Sequence, residues 1–450
     1  MKICQGRQFG CSSQCKGTVL IVTIWVVLVL AGLALVFARS IRVAAILAAN
    51  HTASLQAECI AEGARQYLLA QLGTDEQATA LENAAPYEAM QVGQGYFWVL
   101  RSNLEDDRQL DYGLTDEAGK INLNSASLEM LLKLPGMTAE LAASIIDWRD
   151  QDSELSPGGA ENEYYLLLPE PYNCKNAPLE TVEEILLIKG ASEELLYGED
   201  RNLNGILDEN ENDADASDPP DNRNGRLEGG FYDYVTVYSM EVNIDSSGNK
   251  RININDVRNP ELGTVLRQAV TNDRYFQIMD SLRAGRPFRN ILEFYFKAGL
   301  TAEEFKQLAD RLTTSDQETI AGLVNVNTAS KEVLLCLPGL EESDVEALLT
   351  RRSSGEGLES IAWVAEVLDR AKGIAVGSYI TSRSFQSSAD IVSVAGNGRA
   401  YKRYKAVFDR REDTPRILYW KSLTYLGWPL GGEIVETLRS GRMLAAAAGT

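Results

Sequence analysis

The chain has 450 residues, of which 45% are hydrophobic and 24% charged, and this composition leaves room for two or three globular domains. Its formal net charge of −21 disfavours binding to nucleic acid or anionic lipid, which are themselves negatively charged. Excess carboxylate is compatible with calcium binding or with simple solubility. His51 is the only histidine, and no nucleophile–base pair or glycine-rich phosphate loop occurs, so no enzymatic activity is predicted.

The first element is an uncharged apolar segment over residues 18–38. Its 21 residues suffice for one helical crossing of a hydrocarbon layer ~30 Å thick. The cations Lys2, Arg7 and Lys16 precede it without an acid, which favours a cytoplasmic N-terminus. A removable secretory signal is the alternative, but its apolar region would be shorter than this one.

Lys16 and Gly17 stand directly before the apolar segment, and the helical pattern continues past Arg42. This arrangement resembles a type IV prepilin-like signal, in which a membrane peptidase cuts after the glycine. The resemblance implies cleavage between Gly17 and Thr18, with methylation of the new N-terminus. The fifth mature residue would be Val22 instead of the usual glutamate, a departure typical of the minor pseudopilin K family of type II secretion.

Residues 39–72 are rich in alanine and other good helix formers and contain no proline, and Gly73 is a natural stop. Together with the apolar segment they predict one long spine helix over residues 18–72. Residues 95–114 then predict a β-hairpin, because the apolar run from Tyr96 to Leu100 precedes a polar turn and a second short run.

A helical hairpin with a central Pro-Gly turn is predicted twice, over residues 120–149 and 324–352. Asn122 and Asn325 begin matching Asn-x-Asn motifs 203 residues apart, and a partial third copy spans residues 251–257. In the two hairpins the second asparagine of the motif is predicted to cap the helix that follows.

This unit resembles the helix-hairpin-helix module, so a membrane-anchored DNA receptor of the competence type is a competing interpretation. That family usually places a second glycine where this chain has Thr138 and Glu341. Carboxylates such as Glu342 also lie where a phosphate would bind. A structural or protein-binding role is therefore favoured, with no nucleic-acid partner expected.

The segment that follows the first hairpin resembles the minor pseudopilin K family closely. The family is recognised by a Trp-Arg-Asp, a Gly-Ala-Glu, paired tyrosines, a Pro-Tyr and a Val-Glu-Glu-Ile-Leu, which here are Trp148-Arg149-Asp150, Gly159-Ala160-Glu161, Tyr164-Tyr165, Pro171-Tyr172 and Val182-Glu183-Glu184-Ile185-Leu186. The resemblance covers nearly the whole chain. It implies an α+β, type IV pilin-like fold with a large inserted α-helical domain that contains the hairpin repeats.

The same resemblance implies a tip subunit of the type II secretion pseudopilus, with most of the chain in the periplasm and one inner-membrane span. The implied partners are minor pseudopilins I and J, other pseudopilins and the prepilin peptidase. Calcium binding is also implied, as a structural property of the family.

Residues 200–211 fit the spacing of a calcium-binding EF-hand loop, with Gly205 at the turn. A solvated acidic linker is the alternative. The predicted ligands are Asp200, Asn202, Asn204, Ile206 through its carbonyl, Asp208 and Glu211. We expect calcium to act structurally; a calcium-dependent docking module is a further alternative.

A second, degenerate copy of this loop centres on Gly225, and its first and last positions hold no acid. The predicted ligands of a second metal are Asn222, Asn224 and Glu228, helped by Asp218 or Asp221.

Later residues predict helices over 260–314, three strands over 385–421 and a mobile tail from Gly431. Cys174 and Cys336 are the pair predicted to be oxidised in an outward-facing domain. The predicted divisions are a leader (1–17), spine helix (18–72), first sheet segment (73–118), first hairpin repeat (119–196), acidic loop (197–230), strand with partial repeat (231–255), second helical region (256–375), C-terminal strands (376–425) and tail (426–450).

Overall fold

The computed structural model describes residues 15–74, 87–104, 106–214, 216–256, 258–412, 414–442 and 444. Residues 1–14 of the predicted leader and residues 445–450 of the predicted tail lie outside this set. The first element is the helix α1 (Cys15–Thr74), which is continuous over 60 residues. It is long and apolar enough to cross a membrane.

The C-terminal part of α1 packs on the domain, whereas its N-terminal part is exposed. Ala53, Ala57, Ala64 and Leu68 are fully buried, and their spacing places them along one face of the helix. The small alanines let the helix backbone approach the sheet closely. The chain therefore has the long N-terminal helix that its sequence predicts.

The first sheet segment contains the predicted hairpin and one strand more. β2 pairs with β3, with Leu100 opposite Tyr112. β1, which was not predicted, pairs with β2 across a tight turn at Gly93, whose φ of +61° suits glycine. The strands are β1 (Met90–Val92), β2 (Gly95–Arg101), β3 (Asp111–Tyr112) and β4 (Thr115–Asp116).

A large helical domain follows β4, and it consists of three similar units. Each unit starts with a two-residue strand that holds the first asparagine of an Asn-x-Asn motif and ends on a parallel two-residue strand. The first unit contains β5 (Ile121–Asn122), α2 (Leu128–Leu132), α3 (Ala139–Arg149), α4 (Asn162–Tyr165), α5 (Glu193–Tyr197) and β6 (Val235–Thr236).

The strand β7 (Met240–Val242) then leads to the second unit. That unit contains β8 (Ile252–Asn253), α6 (Pro260–Ala269), α7 (Asn272–Gly285), α8 (Ile291–Ala298), α9 (Ala302–Leu308) and β9 (Leu312–Thr313). β10 (Thr319–Ala321) pairs with β7 and precedes the third unit. The third unit contains β11 (Val324–Asn325), α10 (Lys331–Cys336), α11 (Glu342–Arg352), α12 (Val364–Val367), α13 (Arg370–Val376) and β12 (Ile380–Thr381).

The asparagines make the same contacts in all three units. The first asparagine accepts a hydrogen bond from the backbone N–H of the second, at 2.9, 2.9 and 3.1 Å in the pairs Asn122–Asn124, Asn253–Asn255 and Asn325–Asn327. The second asparagine then binds the backbone of a later segment, at Leu179, Phe288 and Leu358 respectively. The partial third repeat of the sequence is therefore a complete unit in the structure.

These contacts correct the predicted role of Asn124 and Asn327 as helix caps. Ser127 caps α2 and Ser330 caps α10, each accepting a backbone N–H at 3.3 Å. The asparagine amides instead stabilise long-range backbone pairing, which sequence spacing alone does not reveal.

The predicted disulfide is also wrong, because Cys174 and Cys336 are both free and buried. The Cys336 thiol donates to the carbonyl oxygen of Glu332 within α10, at 3.2 Å. The Cys174 thiol lies in a different unit, 3.8 Å from the carbonyl oxygen of Asp147.

Three C-terminal strands complete the sheet, in the order β1-β2-β13-β14-β15 with antiparallel pairing. The inserted domain thus separates neighbouring strands of one sheet, and the predicted α+β fold class is confirmed. The prediction of a mobile tail from Gly431 is corrected, because a helix follows these strands and its Leu438 is buried against the sheet. The elements are β13 (Gln386–Val394), β14 (Tyr401–Asp409), β15 (Arg416–Ser422) and α14 (Gly432–Arg439).

Candidate calcium-binding loops

The first acidic loop, residues 200–211, folds so that its polar side chains face inward. The Asp200 carboxylate accepts the backbone N–H groups of Asn204 and Gly205, at 3.0 and 2.9 Å. Gly205 has a φ of +70°, the left-handed conformation that glycine adopts readily. Asp200 and Asn204 are buried although both are polar. The local sequence thus builds a turn around converging side-chain oxygens.

Asp208 lies at the centre of these side chains. Its Oδ2 accepts hydrogen bonds from the amide nitrogens of Asn202 and Asn204, at 2.6 and 3.0 Å. Ile206 is held by a bond from its N–H to the Asn204 amide oxygen, at 2.8 Å. The Asn204 amide oxygen keeps a second lone pair beside this bond, and oxygen is the ligand atom that calcium prefers. The predicted ligands of the first metal therefore lie within one loop.

Glu211, at the last loop position, is buried with an incomplete set of partners. Its Oε2 accepts the N–H of Asp208 at 3.1 Å, whereas its Oε1 has no hydrogen-bond partner. An unsatisfied buried oxygen is costly. Burial raises the pKa of Glu211 to about 8, and burial together with the charge of Asp233 raises that of Asp200 to about 7. A divalent cation would satisfy the free oxygen and stabilise both charges, so these residues fit calcium.

The second acidic loop repeats this geometry twenty residues later. The amide oxygens of Asn222 and Asn224 accept the N–H groups of Asn224 and Arg226, at 3.0 and 2.8 Å. The Asn224 amide nitrogen donates to Glu228 at 2.6 Å, as Asn204 donates in the first loop. Three of the predicted ligands of the second metal are therefore brought together.

The other two predicted ligands are placed differently. The Asp221 carboxylate accepts the N–H groups of Asp213 and Arg223, at 2.9 and 2.6 Å. The backbone carbonyl oxygen of Asp218 accepts a hydrogen bond from the side-chain amide of Asn210, at 3.4 Å. These bonds shape the loop between the two acidic turns.

Asn212 and Glu199, which the sequence analysis missed, take the first and last positions of the second loop. Asn212 accepts the N–H of Gly225 at 3.1 Å, as Asp200 accepts that of Gly205. Glu199 accepts the N–H of Glu228 at 3.0 Å, as Glu211 accepts that of Asp208. Burial raises the pKa of the Glu199 carboxyl. Both residues precede the second loop, so no spacing pattern within that loop identifies them.

Arg403 on β14 joins the first loop to the sheet. It is fully buried, and its guanidinium donates to the carbonyl oxygens of Asn202 and Leu203 at 2.6 and 2.5 Å. The same guanidinium forms an ion pair with Asp390 on β13. One side chain thus fixes the backbone of the loop against two central strands.

The turn between β2 and β3 supports both loops from the other side. The Asp107 carbonyl oxygen accepts the N–H of Leu207, and the Asp107 carboxylate accepts that of Leu227, each at 2.9 Å. Gly205 approaches Ser102 so closely that an added Cβ would lie 3.1 Å from the Ser102 Cβ. A cavity of about 680 Å³ remains between this turn and the loops.

The two hairpin turns that resemble a phosphate-binding site are occupied by the chain's own side chains. Thr138 accepts the N–H of Leu141 at 3.1 Å and caps α3. Glu341 caps α11 in a capping box with Asp344. Lys372 is paired with both of these acids, at 3.2 and 2.7 Å. The helix N-termini that would face a phosphate are therefore capped by the chain's own side chains.

Gly17 and Thr18, the predicted processing residues, lie near the start of α1. Val22 is exposed on the same helix. Cleavage after Gly17 would shorten the helix by three residues and leave the apolar segment intact.

Comparison with known proteins supports the family resemblance that the sequence motifs indicate. Residues 109–197 match the family model described as type II secretion system, protein K, which confirms the predicted family over this segment. No curated protein matches the chain. A solved structure, the GspK-GspI-GspJ complex of the enterotoxigenic Escherichia coli type 2 secretion system, contains a similar chain at 12% identity and a TM-score of 0.41, covering 82% of this chain and 96% of that one. A TM-score below 0.5 does not establish a shared fold, so the α+β fold is assigned from this chain's own strands and helices.

Proposed function

We propose, on the premise that residues 109–197 belong to the type II secretion protein K family, that this chain is a non-enzymatic minor pseudopilin. It would act in protein secretion across the outer membrane. The observation that carries the proposal is the family segment, which begins at the edge of the sheet and continues into the insert between β4 and β13. The sheet itself packs on one long apolar helix. The chain would then be anchored once in the inner membrane, with its bulk in the periplasm.

The proposed partners are minor pseudopilins I and J, other pseudopilins and the prepilin peptidase. Deleting the chain should abolish secretion, and purification of the full chain in detergent should recover the I and J proteins. Restoring the wild-type chain on a plasmid is the control. Normal secretion without the chain would contradict the proposal.

A position at the filament tip is supported by Val22 and by the inserted domain. In a helical filament, a carboxylate at the fifth mature residue neutralises the N-terminal amine of a neighbouring subunit. Valine cannot form that bond, and a domain as large as residues 117–385 would obstruct a subunit stacked above it. Gold labelling of sheared pseudopili should therefore mark one end; labelling along the shaft would exclude the tip.

We propose calcium as a structural cofactor of the two acidic loops. Each bound calcium ion should stabilise the metal-free chain by about 2.7 kcal/mol when free calcium is a hundredfold above the dissociation constant of its site. Thermal unfolding of the full chain in detergent, with calcium or with chelator, measures this difference. Glu211→Gln should reduce it, whereas Glu209→Gln, at the exposed position two residues before, should not.

The stabilisation of the chain by calcium should depend on pH. The metal-free pKa values of Asp200 and Glu211 lie near 7 and 8, above the usual values of free carboxyls near 4. The metal-free folded state therefore binds more protons than the unfolded state, and its stability falls as pH rises from about 4 to about 8. Calcium should remove this loss, so that stabilisation is larger at pH 8 than at pH 5. Equal stabilisation at both pH values would contradict the assignment.

If calcium serves in docking rather than in folding, partner binding must depend on the calcium loop. A Glu211→Gln chain that still co-purifies the I and J proteins at the wild-type level would favour the structural role of calcium.

The competing DNA-receptor function predicts salt-dependent binding to duplex DNA. We expect none, because the hairpin turns are acidic and their helix N-termini are capped. Fluorescence anisotropy with labelled duplex at 50 and 200 mM salt tests this. Binding that weakens steeply with salt would favour the DNA receptor.

A further inference from the structure

A third acidic cluster lies in the first unit, apart from the two loops described above. Oxygen atoms of Asp150, Asp152 and Glu161 lie within 4.8 Å of one another. Asp150 and Asp152 immediately follow α3, and Glu161 immediately precedes α4, so the connecting loop folds back to bring the three acids together. Burial increases from Asp152, which is exposed, through Asp150 to Glu161, which is 6% exposed.

Oxygen atoms in this cluster are buried without hydrogen-bond partners. Both carboxylate oxygens of Glu161 and the Oδ1 of Asp150 are in this state. Asn176, whose amide nitrogen donates to the Asp152 carbonyl oxygen at 2.6 Å, adds a buried and unpartnered Oδ1. Leaving such atoms unsatisfied is expensive, and here they belong to two of the three clustered acids and to a side chain that is hydrogen-bonded to the third.

The electrostatics of the cluster are unfavourable in the absence of a cation. Asp150 lies at the C-terminal end of α3, where the helix dipole is negative. Arg149 does not neutralise the cluster through an ion pair, since its guanidinium donates to the carbonyl oxygens of Leu123 and Ala126. Among the described residues, no lysine or arginine forms an ion pair with the three acids. Burial and neighbouring carboxylates raise the pKa of both Asp150 and Glu161.

The third unit shows that the acids are not required for the hairpin itself. Arg352 binds the carbonyl oxygens of Val326 and Ala329, as Arg149 binds those of Leu123 and Ala126. Ser353 and Gly355 stand 203 residues after Asp150 and Asp152 and carry no charge. The same helical hairpin therefore forms without a carboxylate at these positions, and the acids of the first unit need another explanation.

We propose that Asp150, Asp152 and Glu161 bind a divalent cation, and that calcium is the cation because all the converging ligand atoms are oxygens. The ion joins the end of α3 to the start of α4 and so closes the loop over residues 150–161. The site is separate from the acidic loops over residues 199–228 and does not depend on the secretion function proposed above.

Metal content of the full chain tests this proposal. The chain, purified in detergent, is equilibrated with calcium, desalted and analysed by mass spectrometry for bound calcium. Glu161→Gln should lose one calcium ion per chain, whereas Glu163→Gln, an exposed neighbour outside the cluster, should keep the wild-type number. An unchanged number in Glu161→Gln would overturn the proposal.

Asp152→Asn provides a second variant if Glu161→Gln fails to fold, because Asp152 is exposed and its loss should be tolerated. It should weaken the site at least tenfold in calcium titrations, while the ions of the acidic loops titrate as before. A calcium titration identical to that of the wild type would overturn the proposal.

Thermal unfolding distinguishes a cation site from acids that merely share protons. In chelator, Glu161→Gln should melt above the wild type, because one buried unpaired charge is removed. With calcium the order should reverse, because only the wild type gains the ion. If Glu161→Gln stays more stable than the wild type in calcium as well, the acids are protonated and the cation site is excluded.

Discussion

Replacing Arg403 by methionine is expected to lower the free energy of unfolding by about 3–5 kcal/mol, the usual cost of leaving one partner of a buried ion pair unpaired. Arg403 is fully buried and forms an ion pair with Asp390. Methionine fills much of the same volume but leaves the Asp390 carboxylate without its counter-charge. Denaturant unfolding of the full chain in detergent measures the loss.

The variant should also weaken calcium binding. Arg403 holds the carbonyl groups of Asn202 and Leu203, which lie between the predicted ligands Asp200 and Asn204. Without these two hydrogen bonds the loop must be ordered by the metal alone, so part of the binding free energy is spent on ordering it. Calcium titrations should therefore show a higher dissociation constant for Arg403→Met than for the wild type.

Arg416→Met is the matched control. Arg416 lies on the neighbouring strand β15 and pairs with Asp409 at 3.1 Å, but its side chain is 48% exposed. Asp409 itself is buried but keeps its ion pair with Arg411, and the half-exposed Arg416 is screened by solvent, so this variant should remain close to the wild type in stability and calcium affinity. Equal losses in both variants, or none in Arg403→Met, would show that the buried pair does not anchor the loop.

A double variant separates the ion pair from the tether. Asp390→Asn combined with Arg403→Met removes the uncompensated charge and should recover part of the stability. It should not recover calcium affinity, because the bonds to the loop carbonyl groups are still absent. Recovery of both properties would mean that the loop is held by other contacts.

Substituting Gly17 is expected to abolish N-terminal processing and, with it, secretion. Among the proposed roles, only that of a pseudopilin requires a peptidase to cut between Gly17 and Thr18. N-terminal sequencing of the chain from cell envelopes should give Thr18 in the wild type and the uncut start in a Gly17→Leu variant. A strain without the prepilin peptidase should give the uncut start for both.

Gly32→Leu is the control for this experiment. Gly32 lies within the same apolar helix, and no atom lies within 4 Å of an added Cβ, so the substitution should be accepted. Processing of this variant should match the wild type. A wild-type chain that begins near residue 39 would instead identify the apolar segment as a removed signal, and an uncut wild-type chain would make it a plain anchor.

Local and periodic features were predictable from the sequence. An uncharged run of 21 residues predicts α1 because hydrocarbon accepts only continuous apolar helix. The register of Asp200, Asn204 and Glu211 predicts one loop because a turn at Gly205 brings these positions together. The Asn-x-Asn repeats likewise predict a duplicated unit with a partial third copy, and only the fold shows that the third copy is a complete unit.

Features that join distant parts of the chain were decided by the tertiary structure. The spacing in the second loop could not identify Glu199 or Asn212, because neighbouring turns supply both. Nothing near residue 202 predicts Arg403, which reaches the loop from a strand 200 residues later. The asparagine motifs bind remote backbone instead of capping, and the two buried cysteines lie in different units.

The sequence by itself therefore determined the long apolar helix, the repeated hairpins, the register of the first acidic loop and the family resemblance over residues 109–197. Only the tertiary structure determined which side chains complete the sites. The physical reason is range: helix propensity, apolar length and loop register act over a few tens of residues. The contacts of Arg403 with the loop carbonyl groups join residues 200 positions apart. The convergence of Asp150, Asp152 and Glu161 spans few residues but depends on how the ends of α3 and α4 pack, which no local pattern encodes.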